Sequence, residues 1–261
     1  MQVLVHRLVT DHGAVAVHAY EPQKGGAWPA VVFLHGAART SRVLYHWAQE
    51  LQDLADLYWI DLPGHGESEL PKDKPVNLDT VAECVAKVVC GPLSGRKVVI
   101  VGESVGGLIA LKLAGTSGLN NIVGVLAADP PTSSRKLWHV QGNYQKLLPR
   151  RAELGSILTF FEGIFGYNGV DIDGKVYYSV YQQVARPAVI LAGDLHLNPF
   201  SKVNMPRCLF DEVDLEVLDM IGNPNISIRK LENSNHLLLE NFIADARTEI
   251  LGLLKLCQEP A

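Results

Sequence analysis

The stretch Val98-Val-Ile-Val-Gly102-Glu-Ser104-Val-Gly106-Gly107-Leu-Ile-Ala110 decides the fold. Its first half is an unbroken apolar run, which suits a strand buried on both faces of a parallel sheet. Its second half opens an amphipathic helix at Val105. Between them, Gly102-x-Ser104-x-Gly106 marks a very sharp strand-to-helix turn from which the serine hydroxyl projects. The residues two before and two after the serine must be small to avoid a clash, and both are glycine. The helix behind Ser104 also directs free backbone amides toward that hydroxyl. Ser104 is therefore the candidate nucleophile.

Working outward, the same buried-strand signature recurs in Pro29–Leu34, Leu57–Ile60, Ile122–Ala128 and Pro187–Ala192, with a further strand at Ile226–Leu231. Ahead of them, Gln2–Val9 and Val15–Tyr20 read as an antiparallel pair turning around Asp11-His-Gly13. Helical patterns cover Ser41–Leu54, Asp79–Cys90, the segment from Val105, and Glu240–Cys257. Strands alternating with helices predict an α/β fold with a mostly parallel central sheet flanked by helices. Residues 131–183 break the alternation: 53 residues without a buried-strand run, containing helical pieces such as Leu154–Phe165 and then Tyr177, Tyr178 and Tyr181. An insertion of that length predicts a helical cap over a core of residues 1–130 and 184–261, with an ordinary pair of surface helices as the alternative.

Composition narrows the function. The chain has 261 residues, 48% of them hydrophobic and 20% charged, so it can bury a sizeable core in one domain. Its net charge of −5 argues against nucleic acid or an anionic membrane as the main partner. Cys84, Cys90, Cys208 and Cys257 are scattered without metal-ligand spacing, which predicts reduced thiols and no metal. No apolar run reaches about 18 residues, and Met1–Thr10 has no signal-peptide pattern, so no membrane span and a cytoplasmic location are expected.

Two further segments follow buried strands. Phe33-Leu-His35-Gly36-Ala37-Ala38-Arg39 can turn its amides toward Ser104, and the N–H groups of Ala37 and Val105 are the expected oxyanion donors. His35 reads as a structural histidine, and Arg39 either orients an anionic substrate or is a solvated surface residue. Trp59-Ile-Asp61-Leu-Pro63-Gly64-His65-Gly66-Glu67-Ser68 leaves its strand through a tight turn.

Taken together, these segments resemble the α/β-hydrolase fold superfamily: His-Gly after one strand, D-x-P-G-H-G-x-S after the next, then the serine turn. The resemblance covers nearly the whole chain outside residues 131–183. It implies a structural His65 and the chain order serine, acid, histidine. It also implies that His236, in Glu232-Asn-Ser-Asn-His236-Leu-Leu-Leu-Glu240, is the general base. For the acid it offers two places. Asp129 lies 25 residues beyond Ser104 in Leu126-Ala-Ala-Asp129-Pro-Pro131, whereas Asp194 lies in Ala192-Gly-Asp194-Leu-His196, where a histidine takes the usual acid position. Asp129 is favoured and Asp194 stays open, since a triad is defined by geometry.

The functional expectation is a serine hydrolase that cleaves a small-molecule carboxylic ester through an acyl-enzyme, without cofactor, as a monomer or homodimer. Cleavage of a C–C bond, lactone or thioester at the same site is the alternative, and a non-catalytic ligand receptor is a more distant one. Trp138, Phe160, Phe161, Phe165 and Tyr178 are expected beside Arg39 in the pocket wall.

Overall fold

Eight strands pair into one sheet in the computed structural model, which describes residues 2–21, 28–169, 173–194 and 208–258, with Trp138 and His139 as backbone only. They are β1 (Leu4–Thr10), β2 (Gly13–Tyr20), β3 (Ala30–Leu34), β4 (Asp56–Ile60), β5 (Val98–Glu103), β6 (Ile122–Ala128), β7 (Ala188–Gly193) and β8 (Ile226–Leu231). Their spatial order is β1-β2-β4-β3-β5-β6-β7-β8. The hairpin β1–β2 and the β2–β4 pair are antiparallel, and every pairing from β4 to β8 is parallel. All residues of β3, β4 and β5 are buried, because helices cover both faces.

On one face lie α2 (Leu78–Cys90) and α3 (Val105–Ala114). Their side chains Val81, Val85, Leu108 and Leu111 meet Val32, Ile100 and Val125 of the sheet. Asn77 starts α2 by accepting the Thr80 amide. On the other face, α1 (Trp47–Leu51) and α9 (Ile243–Leu256) pack Trp47, Ile250 and Leu253 on Phe33, Trp59 and Leu126. Two expected helices divide. Ser41–Leu54 is a 3-10 turn at Ser41–Leu44 followed by α1, and the last helix is preceded by a separate α8 (Leu238–Asn241). The break falls at Phe242, whose φ −124° and ψ 49° are not helical.

Residues 131–183 contain α4 (Trp138–Leu147), α5 (Arg151–Phe165) and α6 (Tyr178–Gln182). The two ends of this segment are fastened to each other. Ser133 bridges Val176 in antiparallel fashion, and the amides of Ser134 and Tyr177 donate to Lys175 and Thr132 at 2.9 and 2.8 Å. Its last helix buries Val180 and Tyr181 in the core beside α3 and α7 (Glu212–Ile221). No disulfide joins the four cysteines, and no described helix is long and apolar enough to cross a membrane.

Asp61 anchors the loops above β3 and β4. Its carboxylate, 2% exposed, accepts from the amides of Ser41 (2.8 Å) and Glu67 (3.0 Å) and faces His18 Nε2 at 3.2 Å. Burial alone would raise its pKa, but the bonds from His18, Glu67 and Ser41 outweigh that and hold it below the usual 3.8. A depressed carboxylate contributes stability above the unfolded pKa near 4, lost as pH falls through the folded value. Asp61→Ala should cost about 3–5 kcal/mol by orphaning these buried donors, lowering the thermal midpoint by roughly 10 °C. A calorimetric midpoint within about 2 °C of wild type would contradict this anchoring.

Candidate active site

Ser104 sits between β5 and α3 with φ 56° and ψ −123°, a conformation that side chains other than glycine rarely adopt. The flanking glycines make the turn possible. A Cβ on Gly102 would lie 2.2 Å from the Gly106 carbonyl oxygen, and one on Gly106 would lie 2.3 Å from the Leu34 carbonyl oxygen. The end of β3 and the start of α3 therefore touch backbone to backbone.

Across the sheet edge, Asp129 follows β6 and is fully buried. One carboxylate oxygen accepts from His236 Nδ1 at 2.6 Å and from the Leu209 amide at 2.7 Å; the other accepts from the Phe210 amide at 3.2 Å. With Nδ1–H donated, His236 Nε2 is left as the acceptor. Asp194 is elsewhere engaged: it accepts the amides of Asn233 (2.8 Å) and Ser234 (3.0 Å), shaping the turn that leads to His236. His196 lies outside the described residues.

Ser104 and His236 line one cavity of about 230 Å³. Among the described residues no hydrogen bond joins the Ser104 hydroxyl to the His236 ring. The Ala38 amide is donated to His65 Nε2 at 3.0 Å, whereas the Ala37 and Val105 amides meet no protein acceptor among the described residues. His35 is fully used by its loop, donating from Nδ1 to Gly36 O and accepting the Leu62 amide at Nε2. Burial pushes His35 down to about 3 and His65 down to about 4, so neither carries charge at neutral pH.

Comparison with known proteins agrees with this layout. Residues 29–154 match the family model described as alpha/beta hydrolase fold. It has the α/β-hydrolase fold. Over 89 residues it is 37% identical to the pimeloyl-[acyl-carrier protein] methyl ester esterase of Pseudoalteromonas atlantica, covering 34% of this chain and 33% of that one. An esterase of Mycobacterium tuberculosis is 32% identical over 118 residues, 45% of this chain and 38% of that one. The chain thus spans less than half the length of these curated relatives. Among solved structures, MenH from S. aureus superposes with a TM-score of 0.68 at 18% identity, over 96% of this chain and all of that one.

The wall of the cavity in this α/β-hydrolase-fold protein differs in part from the sequence expectation. Phe161 and Phe165, one turn apart on α5, line it. Phe160, next along the helix, points away and packs edge-on against His65 at 4.6 Å. Tyr178 is half-buried on the short α6 and takes no part in the lining. The Trp138 side chain lies outside the described residues. Leu137, Val140, Leu147, Leu209 and Leu237 complete the apolar wall, and Asn143 adds a polar group. Apart from Leu237, which follows His236, none of these belongs to a motif, so helix phase on α4 was the only signal for Val140, Asn143 and Leu147.

Arg39 does reach the cavity, but its charge is already taken. One guanidinium nitrogen lies 2.7 Å from Glu103 and 2.5 Å from Glu240. Glu103 was also missed, though a lone acid closing an apolar strand beside the candidate nucleophile is a visible signal.

Burial would lower the His236 pKa, but the hydrogen bond and charge of Asp129, with help from Glu103, raise it above 6.5. A raised histidine stabilises the fold below about pH 6.5, and that contribution is lost as pH rises through the folded value. NMR titration should place the imidazole pKa above the ordinary histidine value in wild type. In Asp129→Asn it should fall below that value, because burial persists without the charge. An unchanged titration in the variant would refute the coupling.

Proposed function

We propose that this protein hydrolyses a small carboxylic ester, with Ser104 as nucleophile, His236 as general base and Asp129 as the orienting acid. The observation that carries this reading is the 2.6 Å Asp129–His236 bond beside the cavity that Ser104 lines. Ser104 Oγ attacks the ester carbonyl and gives its proton to His236 Nε2. The imidazolium then protonates the departing alkoxide, leaving an acyl-enzyme that water hydrolyses by the same proton relay. The amides of Ala37 and Val105 are the proposed donors to the carbonyl oxygen as it becomes negative.

Residues 131–183 act, in this reading, as the cap, with α4 and α5 supplying the pocket wall. The esterase names of the curated relatives support ester cleavage, while the acyl-carrier substrate of one of them is not carried over. Arg39 sits between two carboxylates, so it offers no free cation to an anionic substrate such as an acidic diketone. That pairing and the apolar wall favour a neutral ester. Four scattered cysteines that form no disulfide support a reducing compartment such as the cytoplasm.

Ser104→Ala should lower kcat for p-nitrophenyl butanoate by roughly 10³-fold or more while leaving the thermal midpoint in place. Asp129→Asn should cost far more activity than Asp194→Asn. Retention of more than about a tenth of wild-type turnover by Ser104→Ala would overturn the mechanism.

Cavity size sets a second expectation. With about 230 Å³ available, the apolar wall has room for a short acyl chain and not for a long one. Across p-nitrophenyl esters of increasing chain length, kcat/KM should peak at butanoate or hexanoate and fall at decanoate. A steady rise to dodecanoate would contradict this pocket.

A further inference from the structure

Glu103 is not explained by the mechanism above. It lines the cavity next to Ser104 and is 1% exposed. A Cβ on Gly36 would lie 3.4 Å from Ser104 Cβ and 3.7 Å from Glu103 Oε1, so the acid sits beside the reacting serine under the same loop. Its Oε1 accepts from Arg39 at 2.7 Å, while its Oε2 is buried with no donor among the described residues. An acceptor buried without a partner destabilises a fold, and the cost is removed when a donor arrives. Burial pushes the Glu103 pKa up, against the pull of His236 and Arg39, which is the mark of an under-solvated carboxylate.

Resting on the ester-hydrolase reading, we propose that Glu103 is a specificity residue whose Oε2 accepts a hydrogen bond from a hydroxyl of the substrate's alcohol portion. The preferred substrates are then short-chain monoesters of a polyol. The cavity is divided to suit such a molecule. Leu137, Val140, Phe161 and Phe165 form an apolar wall for the acyl chain, and Glu103 and Arg39 form a polar one beside Ser104. A neutral hydroxyl fits this polar wall better than an ammonium group, which would approach the Arg39 guanidinium. A site built to hold a substrate hydroxyl discriminates strongly against the analogue that lacks it.

The test compares kcat/KM of the full chain for 2,3-dihydroxypropyl butanoate and propyl butanoate, which differ only in the two hydroxyls. Wild type should prefer the diol ester by about tenfold or more. Glu103→Gln, which keeps an acceptor oxygen without the charge, should retain part of this ratio, and Glu103→Met should bring it close to one. A wild-type ratio near one would overturn the proposal even if both variants fail to fold. So would a ratio that persists in Glu103→Met, which would point to Asn143, or faster cleavage of butanoylcholine than of the diol ester. If wild type cleaves p-nitrophenyl butanoate but neither alkyl ester faster than the other, only this proposal falls. If it cleaves no ester at all, the ester-hydrolase reading falls and takes this proposal with it.

Discussion

The arrangement depends on one contact that has no side chain in it: the first turn of α3 pressed against the end of β3. Gly106 lies so near the Leu34 and His35 carbonyls that a methyl group could not be inserted. That approach forces Ser104 into positive φ and lifts its side chain clear of the sheet. It also fixes what stands around the hydroxyl. Strand β5 ends with Glu103 on the same rim, and the loop after β3 brings Gly36 over both. The strain is held by its surroundings: the Ser104 amide donates to Ala128 at 2.8 Å, and β5, which leads into the turn, is fully buried.

Around that turn, buried charge is organised in two groups of different character. Asp129 is saturated, with two backbone amides and one imidazole on its two oxygens, so it holds one position and fixes the histidine tautomer. The group Glu103–Arg39–Glu240 has one cation between two acids and leaves a carboxylate oxygen unmatched. Burying an ion costs several kcal/mol unless its partners are well placed. The first group meets that requirement within the chain, whereas the second meets it only in part. In the proposed function the saturated pair orients, and the unsaturated group recognises.

The parallel strands were legible because continuous apolar runs such as Val98–Val101 have few other uses in a chain of this composition. The serine turn was legible because its steric demand falls on residues at fixed spacing. Pocket geometry was not. Phe160 and Phe161 are equivalent in type, and only the phase of α5 sends one toward His65 and the other into the cavity. That phase follows a kink at Leu154, with φ −107° and ψ 20°, beside the Gly155-Ser156 pair that is its local signal. Arg39 was ambiguous for a related reason: Glu240, one of its two partners, lies at the far end of the chain. Helix α7 was overlooked, although Asp211 and Asp214 form a reciprocal capping box before Leu215 and Leu218.

The fastened neck at Ser133 and Val176 has a consequence for how such a protein diversifies. Because the segment leaves and rejoins the sheet scaffold at adjacent points, its interior length is almost free to vary. Its outward-facing parts can be exchanged without moving the sheet edge, whereas Phe160 packs on His65 and must be kept. Chimeras that transplant a foreign stretch between those two residues should therefore keep the sheet scaffold where the face of α5 that packs on it is kept. The neck makes scaffold and insertion separable modules, open to independent evolutionary change and to engineering.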